Sequence, residues 1–287
     1  MASIRLGSVV VGVDGSLGSD DAVEWAAVFA AMTRRPLLIA HGLGSPDLGE
    51  RIRRSAVPTP QERRVAAGRR VTDHALVVAH RVAPDLRVDV TTEFSQPPRL
   101  LVELSEHASL VVVSTRGHGR VTSALVGSVS AAVTQEAHCA VAVVRRAADS
   151  ASRVVVGVAG DGSDKAAVEF AAELASTSAH PLELVHAWGS GNPLAEKPTA
   201  EQRHVLGEAH ERLLLEATAG LAEKYPDVQQ NGHLPEDRPT SALVRWSQDA
   251  GVVVLGSRGR SGLRSYVGSV SRSVLEHAQC TVVVVRS

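Results

Sequence analysis

Ser8-Val9-Val10-Val11-Gly12-Val13-Asp14-Gly15-Ser16 is the stretch on which the fold turns. Its apolar residues run on without polar alternation, the pattern of a strand whose sheet is covered by helices on both faces. Asp14 and Gly15 end the run, and Ala22, Ala26, Phe29 and Ala30 then recur at helical spacing. Apolar strand, tight turn and amphipathic helix in that order open a β-α-β unit.

The same opening returns later as Val154-Val155-Val156-Gly157-Val158-Ala159-Gly160. Residues 9–41 laid over residues 154–186 agree at 15 of 33 positions, and residues 127–145 over 268–286 at 11 of 19. Ala167, Ala171, Leu174 and Ala175 repeat the register of the first helix. The chain therefore contains one domain written twice. Small and charged residues from 145 to 153 form the linker, which predicts domains over 1–148 and 149–287. A length of 287 residues fits two domains at roughly 150 residues each.

In the first copy, further strands are expected over 36–42, 86–94, 110–114 and 140–145, with helices near 61–82, 99–107 and 128–137. Val71, Ala75, Val78 and Val82 form the expected core stripe of the second helix. The alternation reads β-α-β-α-β-α-β-α-β and implies an α/β fold with a parallel sheet and right-handed crossovers. With strand order 3-2-1-4-5, ligand would sit beyond the carboxyl ends of strands one and four, where the order reverses.

Composition narrows the function. Thirty basic and thirty-one acidic side chains give a net charge of −1, and aromatic residues are 3% of the chain. That balance argues against nucleic acid or an anionic membrane as partner. No apolar stretch reaches the ~18 residues of a spanning helix. The opening Met1-Ala2-Ser3-Ile4-Arg5-Leu6 runs directly into the first strand without a basic region, a long apolar region and a cleavage site, so a cytoplasmic protein is expected. Cys139 and Cys280 fall at the same position of the two copies, which predicts two buried thiols and no disulfide. The twelve histidines form no metal-binding pattern, so any metal would be Mg²⁺ carried by phosphates.

After strand four the first copy reads Ser114-Thr115-Arg116-Gly117 and later Gly127-Ser128-Val129-Ser130; the second reads Gly256-Ser257-Arg258-Gly259 and Gly268-Ser269-Val270-Ser271. A glycine loop followed by a helix start presents backbone N–H groups to an anion, and the serine hydroxyls add donors for phosphate. Neither segment has the lysine of a P-loop or the spacing of a dinucleotide fingerprint.

These segments, with Val11-Gly12-Val13-Asp14-Gly15-Ser16, resemble the universal stress protein family, and the resemblance covers essentially the whole chain as a tandem member. It implies two Rossmann-like (HUP-type) domains and an ATP site after strand four. In the first copy the implied ligand residues are Asp14 and Gly42 for adenosine, and Ser114, Gly117, Gly127, Ser128, Val129 and Ser130 for phosphates. In the second they are Ala187, Gly256, Gly259, Gly268, Ser269, Val270 and Ser271. Ser114 stands where the family pattern has its first glycine. The second copy has eight residues rather than nine before Gly268, and Ala159 replaces the strand-one acid, with Asp161 two residues on. The resemblance further implies that the copies pair as a pseudo-dimer through the edge strands over 140–145 and 281–286, with further self-association into a homo-oligomer expected.

Simpler roles stand beside these. Gly117 and Gly259 could be plain turn residues, and Asp14 could serve only to shape the turn or cap the helix. His41 and His186 are expected to be hydrogen-bonded structural residues, and the arginines over 51–70 a solvated helix face. Three functions follow: a nucleotide-dependent stress regulator, a scaffold that binds no nucleotide, or a slow ATP hydrolase. The last is suggested by Gly160-Asp161-Gly162-Ser163, which is similar to the loop of enzymes that split ATP between its α and β phosphates. No base, nucleophile or lysine is placed for fast hydrolysis, so at most weak activity is expected.

Overall fold

The structure, a computed structural model, describes residues 4–45, 59–115, 127–146, 152–189, 199–257 and 267–286. The chain divides into two compact units, Met1–Arg145 and Arg146–Ser287.

The first unit runs β1 (Ser8–Gly12), α1 (Leu17–Met32), β2 (Leu37–Gly42), α2 (Pro60–Val82), β3 (Val88–Glu93), α3 (Pro97–Ser105), β4 (Ala108–Ser114), α4 (Ser128–Glu136) and β5 (Ala140–Val144). All its strand pairs are parallel, in the order β3-β2-β1-β4-β5. This is the order expected from the sequence. Val9, Val10 and Val11 are fully buried at the centre of the sheet, as an unbroken apolar run on a central strand requires.

The second unit runs β6 (Val154–Gly157), α5 (Lys165–Ser178), β7 (Leu182–Val185), α6 (Ala200–Ala217), α7 (Leu221–Lys224), β8 (Gln230–His233), α8 (Pro239–Trp246), β9 (Val252–Gly256), α9 (Ser269–His277) and β10 (Thr281–Val285). Its strands are again parallel, in the order β8-β7-β6-β9-β10.

The helix starts differ in a way that matters for function. Capping boxes close α2 (Thr59 with Glu62) and α6 (Thr199 with Gln202), and the Ser16 side chain caps α1. By contrast, α4 and α9 begin at Gly127 and Gly268 with no side-chain cap, as α3, α5 and α8 do at non-glycine residues, so their first-turn N–H groups are not spent on a cap.

Two expectations need correction. The buried face of α2 is Gly68, Thr72, Ala75, Val78 and Ala79, whereas Val71 is half-buried and Val82 is 39% exposed. The helix lies so close to the sheet that a Cβ on Gly68 would stand 2.7 Å from Leu43 Cδ2 and 3.0 Å from His41 Cδ2. Small size, more than hydrophobicity, selects that face. Of the two thiols, Cys280 is buried but Cys139 only half-buried, and neither forms a disulfide.

Candidate functional site

In both units the carboxyl ends of the two central strands and the start of an uncapped helix meet at one end of the sheet. In the first unit Val13 N–H donates to the Ala40 carbonyl at 3.0 Å, tying the ends of β1 and β2. His41 Nδ1 lies 2.7 Å from the Val13 carbonyl oxygen. A carbonyl can only accept, so Nδ1 carries the proton and the ring is a brace across the two strand ends. That is the structural role expected of it.

Asp14 is exposed just beyond β1, and its Oδ1 accepts from Ser16 N at 3.0 Å and Ser16 Oγ at 2.6 Å. The carboxylate thus shapes the turn that places Ser16 as the cap of α1. Gly42 ends β2, and Ser114 ends β4 beside β1. Gly127 N–H donates to the Thr115 carbonyl at 3.0 Å, which draws the start of α4 to the end of β4. Ser128 is exposed, Val129 half-buried and Ser130 buried. Gly117 lies outside the described residues.

The Ser130 hydroxyl departs from the expectation of a phosphate donor. It donates to the Gly127 carbonyl at 2.9 Å, and a hydroxyl has a single proton to give. Ser271 of the second unit likewise donates, at 2.8 Å, to the carbonyl of Gly256. Ser130 thus closes on the N-cap residue of its own helix, and Ser271 clamps its helix start to the end of β9. What they can still offer an anion is backbone N–H.

The second unit holds a cavity of about 900 Å³ at the equivalent end of its sheet. Ala187, Gly256, Gly268, Ser269, Val270 and Ser271 line it, so these expected residues come together; Gly259 is outside the described residues. Gly268 N–H donates to the Ser257 carbonyl at 2.9 Å, repeating the closure of the first unit.

Three side chains on this cavity were not singled out from the sequence. Asp164, 3% exposed, accepts through Oδ2 from Ala159 N at 2.6 Å and Gly160 N at 3.0 Å. Trp188 stacks on His210 with ring centroids 5.4 Å apart, and its Nε1 donates to the Leu234 carbonyl at 3.3 Å. His210 also meets His186 at 2.8 Å between His210 Nδ1 and His186 Nε2. Because His186 Nδ1 donates to the Val158 carbonyl, its Nε2 accepts and His210 Nδ1 is the donor. Asp161 lines the cavity but its Oδ1 holds Ser163 N and Oγ at 3.0 and 2.5 Å. It reproduces the Asp14–Ser16 turn two residues later rather than standing at the end of the strand.

Burial, with a smaller contribution from His186, holds the His210 imidazole below the usual histidine range. The unfolded chain therefore binds this proton more readily than the folded one. The contribution is intact above the ordinary histidine value and is lost as pH falls through the lowered one. Urea titrations of the second unit's transition should show stability falling from pH 7.5 to pH 5, with a shallower slope in His210→Leu; an unchanged slope would remove His210 from the account.

Comparison with known proteins gives the family. The profile described as the universal stress protein family matches residues 6–145 and 151–286. The universal stress protein Rv2005c of Mycobacterium tuberculosis is 37% identical over 292 residues, covering 97% of this chain and 96% of the relative. A crystal structure of a universal stress protein from Archaeoglobus fulgidus superposes with a TM-score of 0.68 at 18% identity, covering 99% of each chain, a likeness of fold. A universal stress protein solved in complex with cAMP is 28% identical over 50% of this chain and 99% of its own, with a TM-score of 0.38.

Proposed function

The chain belongs to the universal stress protein family, and from that premise we propose that it binds ATP at the carboxyl-end crevices and acts as a nucleotide-dependent regulator in the stress response. The carrying observation is the pair of uncapped, glycine-led helix starts that are tied to the ends of β4 and β9. Gly127 and Gly268 each open a helix whose first-turn amides lack a side-chain cap, beside the end of a central strand. Free amides and the positive end of the helix dipole suit a phosphate chain. Mg²⁺ would arrive with the nucleotide as the counter-ion of its phosphates.

In the first copy Asp14 and the Gly42 backbone hold adenosine, while Ser114, Gly117 and Gly127 to Ser130 hold phosphates. In the second, Gly256, Gly259 and Gly268 to Ser271 hold phosphates, and Ala187 with Trp188 forms the wall for the nucleoside. The second copy lacks the acid of the first, so its affinity is the lower. Self-association into a homo-oligomer and a cytoplasmic location belong to the same reading.

Calorimetric titration of nucleotide-stripped protein with Mg-ATP tests this. Two sites are expected, with Asp14→Ala weakening one of them by about tenfold or more, the range of a lost hydrogen bond to a charged group. Quenching of tryptophan fluorescence that disappears in Trp188→Phe would report the second site separately. No heat at millimolar ATP would reject nucleotide binding and leave a scaffold.

A further inference from the structure

We propose that the first unit carries a separate anion site, for a small molecule bearing a pyrophosphate group, at the end of its sheet opposite the nucleotide crevice. A cleft of about 560 Å³ lies there between the residue run before β1, the turn after α1 and the connection from α2 to β3. Arg5, Arg34, Arg35 and Arg87 line it, against Asp85 as the only carboxylate of the lining. One strand length, about 3.3 Å per residue, separates this end from the crevice.

Three of the arginines are held in place. Arg5 and Arg87 turn Nε toward Asp89 at 3.5 and 3.9 Å, and Arg35 Nη1 donates to the Gly7 carbonyl at 3.2 Å. Arg34 is exposed, and no acceptor for its guanidinium is found among the described residues. A guanidinium has five N–H donors in a planar fork, so most of the donors around the cleft are left for a ligand. Apolar Ala31, Pro36, Ala83, Pro84 and Leu86 complete the walls and would carry the organic part of such a molecule.

The duplicated chain supplies an internal control. Arg34 (φ 53°) and Ala179 (φ 52°) occupy the same left-handed turn residue of the two copies, so the turn itself does not call for arginine. Arg35 aligns with His180. Leu37 N–H donates to the Arg87 carbonyl as Leu182 N–H donates to that of Gln229, which makes Arg87 and Gln229 equivalent. The fold is therefore built in the second copy without three of the four cations. Their gathering in the first copy matches a ligand with two adjacent oxyanion groups, which arginine forks bind in pairs of hydrogen bonds. At about 560 Å³ the cleft is of a size for a compact anion rather than a polymer.

The experiment is a titration of the full chain with sodium pyrophosphate, followed by calorimetry and by backbone amide shifts. Sub-millimolar binding is expected, with shifts centred on the backbone at 34–35 and 86–87, and at least a tenfold loss in Arg34→Gln/Arg87→Gln. That variant keeps both aliphatic stems, and thermal melts verify its fold. Arg34→Ala alone supplies a second, milder reading, with a loss of several-fold. Absence of binding, shifts centred instead on residues 127–130 or 268–271, or affinity unchanged in both variants would overturn the site. Equal affinity for citrate would overturn the assignment to a phosphoryl group. Shifts at 34–35 and 86–87 report this site and shifts at 127–130 or 268–271 report the crevices, so failure here and failure of ATP binding are read separately.

Discussion

Asp164→Ala is expected to lower the stability of the second unit by about 1–3 kcal/mol, because it strips two turn amides of a buried carboxylate acceptor. Ala159 N–H and Gly160 N–H both donate to Asp164 Oδ2, at 2.6 and 3.0 Å, in a turn where Gly160 has φ 76°. Five residues of turn are thereby pinned to the end of β6 by a single carboxylate that is 3% exposed. Its desolvation is tolerable only because both bonds are made. Asp164→Asn keeps an oxygen acceptor of the same shape but loses the charge, and should give back about 1 kcal/mol of the loss. Thermal melts of the three proteins check the order, at about 2–4 °C per kcal/mol. Equal melting of Asp164→Ala and the parent would show that water replaces the carboxylate at no cost.

Asp164 also marks where sequence reading stops. The strand that opens each copy, the glycine that opens each uncapped helix and the element boundaries were legible to within about two residues, because apolar runs and glycine positions are local signals. A carboxylate reaching back five residues to the amides of Ala159 and Gly160 is not local in that sense. Its first-copy counterpart by alignment is Ser19, a helix residue buried in α1, so even the internal repeat gave no hint of it. Trp188 and His210 were invisible for a different reason. They lie 22 positions apart on either side of a long connection, and only the packing of α6 against the end of β7 stacks them. The α2 stripe failed because hydrophobic periodicity ranks Val82 above Gly68, whereas close approach to His41 and Leu43 ranks them the other way.

Gly42→Ala is expected to be the most damaging single methyl group in the first unit, at about 1–3 kcal/mol or more of overpacking. A Cβ there would stand 2.8 Å from the Ser95 carbonyl oxygen and 3.0 Å from Pro97 N and Cα. All of these are backbone atoms, so no side-chain rotation relieves the contact. The turn before α3 would have to move away from β2, straining Leu43 N–H to Glu93 O at 2.8 Å and Gly44 N–H to Ser95 O at 2.9 Å. The second unit tolerates alanine at the aligned position 187, because there the tight approach falls on Gly189, whose Cβ would lie 2.7 Å from the Asp237 carbonyl carbon. Gly189→Ala should therefore cost the second unit what Gly42→Ala costs the first, while the glycine at 44, whose Cβ would meet the Arg64 side chain at 3.2 Å, is limited instead by its φ of 75°. The pair also dissects the two proposed ATP sites. Gly42→Ala should abolish the site that uses the Gly42 backbone and leave the Trp188 signal intact; Gly189→Ala should do the reverse, since Gly189 lines the same cavity as Trp188. Urea melts with fluorescence-detected ATP titrations read both properties on each variant. Loss of stability without loss of a site would separate the packing of β2 from the binding of nucleotide. Loss of both sites in either variant would mean that the copies do not bind independently.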